Sequence, residues 1–142
     1  MPLIATNDDA SGLIKGKHFP GAGALLQSIV TASGLKKGSH LRSTAKEEPG
    51  TYDILGKPNP FTIDLIKEEH GLSESSRTIM IGDRPNTDIL FGKAGNLDQC
   101  MVLTGVVRGI DDFKSNWLNG HPEYAPTYIM EMLGDLDAPP QQ

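Results

Sequence analysis

The stretch Thr78–Asp88, TIMIGDRPNTD, constrains this chain more than any other. Thr78, Ile79, Met80 and Ile81 make a short continuous run with no polar alternation, the pattern of a buried parallel strand. Gly82 ends the run. Asp83 then stands just past the strand's carboxyl end, where open α/β sheets place their ligands. Asp88 follows five residues on, at the expected start of a helix. Two carboxylates at such an edge can share a hard divalent cation and its waters. The ordinary alternative is a turn Asp followed by a helix-capping Asp. Only the surrounding sequence separates the two readings.

At 142 residues the chain suffices for one modest domain. No apolar run approaches the roughly 20 residues of a membrane span. The opening MPLIATNDDA lacks the basic, apolar and cleavage regions of a secretory peptide. Cys100 is the single cysteine and lies in an apolar segment, which excludes a disulfide scaffold and fits a reducing, cytoplasmic compartment. The net charge of −5 is uneven: residues 1–55 hold six Lys/Arg and five Asp/Glu, residues 56–142 seven and thirteen. An acidic second part is a poor nucleic-acid surface, because phosphate backbones need a positive footprint. The same part is compatible with a cation site that receives an anionic substrate.

In chain order, Leu3–Thr6 reads as a strand stopped by Asn7-Asp8-Asp9. Residues 10–20, with Gly12, Gly16 and Pro20, read as a loop. Gly21–Ser33 reads as a helix whose apolar face is Ala24, Leu25, Ile29 and Val30, with Ser33-Gly34 as its stop. From Leu35 to Asp53 the periodicity disappears, and Lys36, Lys37, Arg42 and Lys46 mark a long, exposed basic loop. Gly56-Lys57-Pro58-Asn59-Pro60 then dictates an extended approach to a helix, with Asn59 as cap and Gly71 as stop. Lys57 is thereby held on rigid backbone at the helix entrance. Beyond Asp88 the expected elements are a helix to Ala94, a strand over Met101–Leu103, a short helix over Asp111–Leu118, a strand over Thr127–Ile129 and a turn over Glu131–Leu136. From Pro60 to Leu103 this is the βα alternation that builds a parallel sheet, and beyond Val107 the pattern loosens.

GKPNP at 56–60, RTIMIGDRPNTDILFGKAGN at 77–96 and MVLTGV at 101–106, in that order, resemble the haloacid dehalogenase (HAD) superfamily of phosphohydrolases. The branch they resemble is that of the capped 4-nitrophenylphosphatases and phosphoglycolate phosphatases, with the NagD group nearby. LIATNDDA and FPGAGALLQSI are similar to the end of that branch's inserted cap. The fold implied is α/β: a partial HAD-like Rossmannoid core, a parallel sheet with flanking helices, preceded by the end of a C2-type cap. The division implied is 1–53 for the cap remnant and 54–142 for the C-terminal half of the core. By position, the resemblance makes Lys57 the lysine that steadies nucleophile and phosphoryl group, with Asn59 beside it at the substrate. It makes Asp83 a Mg²⁺ ligand, and Asp88 the carboxylate that holds the metal site. The implied substrate is a small phosphorylated metabolite, with no nucleic acid or membrane partner.

One family feature is absent. In the family an N-terminal DxD strand supplies the attacking Asp and the general acid. Near this N-terminus only the adjacent pair Asp8-Asp9 occurs, within the cap-like segment. The expectation is the C-terminal portion of a phosphatase, inactive alone, whose sheet has an edge that a second copy or another segment must cover. The alternative is a non-catalytic remnant acting as an interaction or dimerisation module. A receiver-type acidic pocket fits poorly, because Lys57 precedes the acidic strand.

Overall fold

Parallel strand pairing organises both halves of the chain. The computed structural model describes residues 3–38, 50–73 and 77–137. It divides into two compact units, Met1–Gly71 and Leu72–Gln142.

In the first unit, β1 (Leu3–Ala5) and β4 (Lys36–Lys37) flank β5 (Thr51–Ile54), both parallel to it. Leu3 pairs with Tyr52 and Lys36 with Thr51. The expected loop over 10–20 is instead a hairpin, β2 (Ser11–Ile14) with β3 (Lys17–Pro20). Its two-residue turn, Lys15-Gly16, has positive φ at both positions, 49° and 77°. That is the backbone of the primed turns whose twist matches an antiparallel pair. The expected loop over 35–53 is likewise corrected, since both ends are strands; Arg42 and Lys46 lie outside the described residues.

Helix α1 (Ala22–Ser33) ends at Gly34, whose left-handed φ of 67° lets its amide return to the Val30 carbonyl. The expected apolar face is only half right. Leu26 and Val30 pack with Ile54 against Leu3, Ala5 and Tyr52, whereas Leu25 and Ile29 stay 67% and 52% exposed. The sheet needs one narrow stripe of this helix, and a four-residue spacing from Leu26 to Val30 supplies it. After β5, Asn59 turns the chain into α2 (Phe61–His70). Gly71 closes that helix. Residues 53 and 54 both lie in β5, which pairs with β1 and β4 within the first unit.

In the second unit, β6 (Ile79–Gly82), β7 (Asp98–Val102) and β8 (Tyr128–Met130) form an all-parallel sheet in that order. Ile81 pairs with Cys100, and Met101 with Ile129. The parallel pairing expected between the Ile79 and Val102 strands is present. Burial is not where the apolar run places it: among the described residues β7 is the central, buried strand and β6 pairs on one side only, with Ile79 44% exposed. Between β6 and β7 the chain makes a π-helical turn (Pro85–Ile89) and α3 (Leu90–Ala94). After β7, α4 (Ile110–Asp112) runs into a second π-helical segment, Phe113–Leu118. Ile89, Met101, Val107 and Phe113 form the core here, with Leu103, Trp117 and Leu118 packed on it. Trp117 is therefore a packing residue. Cys100 is a free, buried core thiol, and that burial pushes its pKa up. No helix among the described residues is long and apolar enough to cross a membrane.

The two helix and sheet faces predict unequal costs. Met101→Ala, at a fully buried site, should destabilise the second unit by roughly 2–5 kcal/mol. Leu25→Ala should stay within about 0.5 kcal/mol. Urea unfolding checks both, followed by the fluorescence of Trp117 for the second unit and by circular dichroism for the first.

Candidate metal and phosphate site

Asp83 and Asp88 are brought together by the end of β6 and the turn that follows it. Asp88 is only 3% exposed, and its Oδ2 accepts the backbone N–H groups of Asp83 (3.1 Å) and Arg84 (3.0 Å). Its own N–H donates to the Arg84 carbonyl at 2.8 Å. Burying a carboxylate is costly unless hydrogen bonds replace its water, and the two amides do so with charge-assisted bonds. Gly82 makes the approach sterically possible, because a Cβ there would overlap the Asp88 side chain. The helix expected to start at Asp88 begins instead as the π-helical turn at Pro85, which carries Asp88 inward and Ile89 into the core.

Asp83 is gripped from the neighbouring strand. Parallel pairing puts the carboxyl ends of β6 and β7 side by side, so the segment leaving β7 passes over Asp83. Val106 N–H donates to Asp83 Oδ2 at 2.6 Å, and Val107 N–H to the Asp83 carbonyl at 3.4 Å. At the far end of that segment, Arg108 N–H donates to Asp112 Oδ2 at 2.8 Å. This bond first, and the Asn116 amide next, hold the Asp112 carboxyl below its usual value.

Lys57 and Asn59 stand in the first unit. Lys57 is exposed, on the short segment between β5 and α2. Asn59 is buried, with its Nδ2 donating to the Ile54 carbonyl (2.6 Å) and its Oδ1 accepting from Phe61 N–H (2.9 Å). Those two bonds brace the bend that carries Lys57 and satisfy the first amide of α2, whose N-cap is Pro60 rather than the expected Asn59. Asp8 is exposed and pairs with Lys37 at 3.5 Å.

Among the described residues no group of three or more His, Cys, Asp or Glu gathers as a complete ligand set. The donor chemistry nevertheless fits a Mg²⁺ site that takes one or two carboxylates and completes its shell with water and phosphate. Among the described residues Asp83 offers a carboxylate held by a backbone amide at Oδ2. The sequence reading passed over two features. One is the Gly105–Val107 grip, signalled only by the expectation that neighbouring parallel strands end together. The other is a D-x-D spacing at Asp135-Leu136-Asp137. It lies in an exposed 3-10 turn, where Asp135 Oδ2 accepts Met132 N–H at 3.0 Å.

Replacing Asp88 by Ala should therefore cost roughly 1–3 kcal/mol, because the Asp83 and Arg84 amides lose their shared acceptor. Amide hydrogen exchange should accelerate at those two residues. Unchanged protection there would contradict the bonding described.

Comparison with known proteins agrees with this geometry. Residues 54–136, more than half of the chain, match the HAD-hydrolase-like family. Phosphoglycolate phosphatase 2 of Arabidopsis thaliana is 32% identical over 135 residues, covering 94% of this chain. Among solved structures, 4-nitrophenylphosphatase from Thermotoga maritima superposes with a TM-score of 0.69 at 29% identity, covering 94% of this chain and 42% of its own. Glycerol phosphate phosphatase from Mycobacterium tuberculosis, solved in complex with magnesium, gives a TM-score of 0.70 at 26% identity, covering 95% and 34%. The chain spans only 38–42% of the length of these curated relatives. With its parallel β6–β7 edge, its Asp83/Asp88 turn and the match over 54–136, the chain belongs to the HAD-hydrolase-like family and corresponds to the C-terminal part of its phosphatase relatives.

Proposed function

We propose that this chain supplies the metal-holding edge and the phosphate-facing lysine of a Mg²⁺-dependent phosphomonoester phosphatase acting on small phosphorylated metabolites. The observation that carries the reading is the Asp83/Asp88 pair, held by backbone amides at the carboxyl end of a parallel strand. On this reading residues 1–53 are the end of a cap and residues 54–142 part of the catalytic core, with the family match over 54–136 in support. We place the chain in the cytoplasm.

Asp83 would hold the Mg²⁺, with Asp88 keeping the Asp83 backbone in place. The ion would supply positive charge to the phosphoryl oxygens. Lys57, a compact ammonium on a braced bend, would neutralise charge on the phosphate and on an attacking carboxylate. Asn59 acts through that bend rather than by free contact, since its oxygen and one amide hydrogen are already committed to backbone. The chemistry still needs a nucleophile and a proton donor. Asp8, paired with Lys37, and the Asp135-Leu136-Asp137 turn are poorly arranged to be either. Positioned proton transfer alone contributes roughly 10²–10⁴-fold. The 142 residues by themselves are therefore expected to be nearly inactive.

The purified chain should hydrolyse 4-nitrophenyl phosphate at least about 10³-fold more slowly than an intact relative. Adding the DxD-bearing segment of such a relative, fused or in trans, should restore Mg²⁺-dependent turnover, and Asp83→Asn should remove it again. Millimolar Mg²⁺ should raise the melting temperature slightly in the unaltered chain and not in Asp83→Asn. Robust turnover by the chain alone that survives Asp83→Asn would overturn the assignment.

A second reading has its own observation. Among the described residues β6 pairs on one side only, with Ile79 44% exposed. A single-sided parallel strand is a template for pairing, which suits a non-catalytic interaction or dimerisation module. Sedimentation velocity distinguishes the two: this second reading requires self-association that Ile79→Lys abolishes, and the phosphatase reading does not.

A further inference from the structure

The segment leaving β7 does more than cover the metal-holding edge. It selects which oxygen of Asp83 is available. Val106 N–H bonds Oδ2 at 2.6 Å, a short charge-assisted contact, while Val107 N–H reaches the carbonyl of the same residue at 3.4 Å. Two consecutive amides thus hold Asp83 at side chain and main chain together. Val107 is fully buried with Ile89, Met101 and Phe113, so the core anchors the segment and Val106, half out in solvent, is carried with it. From the other side, Asp83 N–H is tied to Asp88 Oδ2 at 3.1 Å.

Gly105 lies flat against the carboxylate. A Cβ there would overlap Oδ2, Cγ and Cβ of Asp83, and the obstacle is a side chain with little freedom to retreat. The reason for glycine at 105 is therefore clearance over a functional carboxylate.

We infer that Gly105 and the Val106 amide are positioning residues for the metal: they commit Asp83 Oδ2 to the backbone and reserve Oδ1, one oxygen in one orientation, for the cation. The inference rests on the metal-site reading above and deepens it. Hydrogen-bond partners of metal-holding carboxylates typically govern affinity by about 10–100-fold, because they fix the orientation of the donor before the ion arrives. Gly105→Ala displaces the carboxylate. Val106→Pro removes its hydrogen-bond donor. Thr104, the residue before Gly105, is exposed.

The test is Mn²⁺ binding to the chain by electron paramagnetic resonance, beside melting temperatures measured in chelator. Gly105→Ala and Val106→Pro should each weaken Mn²⁺ binding by about tenfold or more, with melting in chelator little changed, while Thr104→Ala binds as the unaltered chain does. Equal affinity in all three variants overturns the inference and leaves the metal reading standing. No Mn²⁺ binding by the unaltered chain at millimolar concentration overturns both. If both variants fail to fold, the unaltered chain still decides the matter by NMR. The Val106 amide proton should resonate far downfield and move in Asp83→Asn, and an ordinary shift that ignores the substitution rejects the clamp.

Discussion

The hydrogen bonds from the Asp83 and Arg84 amides to the buried Asp88 carboxylate are the interaction on which the carboxyl-end edge of β6 depends. A charge with so little water around it persists only where fixed donors replace that water. Here the donors belong to the two residues that follow the strand. The bonds therefore set the direction in which the chain leaves β6, and with it the position of Asp83. Gly82 provides the clearance, and Pro85 begins the π-helical turn that brings Asp88 back under the strand end. The same turn delivers Ile89 into the core, so packing and electrostatics are fastened at adjacent residues.

The sheet multiplies this local device. Because β6 and β7 run parallel in register, their exits meet at one edge, and the Val106 and Val107 amides reach Asp83 without a long loop. The core then transmits its rigidity outward, from Val107 through one peptide to Val106 and onto the carboxylate. An oxygen ligand oriented in advance loses less freedom when a cation binds, the usual route by which a scaffold turns packing into affinity.

Much of the site was legible from residue order. Gly-Asp after an apolar run and an Asp five residues later located the edge and both carboxylates. Other parts were not. The Lys15-Gly16 hairpin looked like a loop, because its strands lack clean alternation and only the paired positive φ values reveal the turn. Lys36-Lys37 and Thr51–Ile54 looked like linker, since a two-residue strand and a half-buried one carry almost no periodic signal. In α1, Leu25 and Leu26 are equivalent to any hydrophobicity count. Only the direction from which the sheet approaches decides that Leu26 is covered.

By itself the sequence determined what chemistry is present. It contains two carboxylates and a lysine in the order of a phosphate-handling family, a proline-bracketed Asn59 at a helix entrance, and an apolar run ending in glycine. Those properties are local, set by residue type and by spacing of a few positions. The tertiary structure decided the rest. It made β7 rather than β6 the central strand, turned Asp88 into a buried acceptor, and brought Gly105 and Val106 onto Asp83 from 22 and 23 residues away in sequence. The physical reason is that strand order and amide direction belong to the pairing of distant segments, and no run of neighbouring residues encodes which backbone N–H will face a given carboxylate.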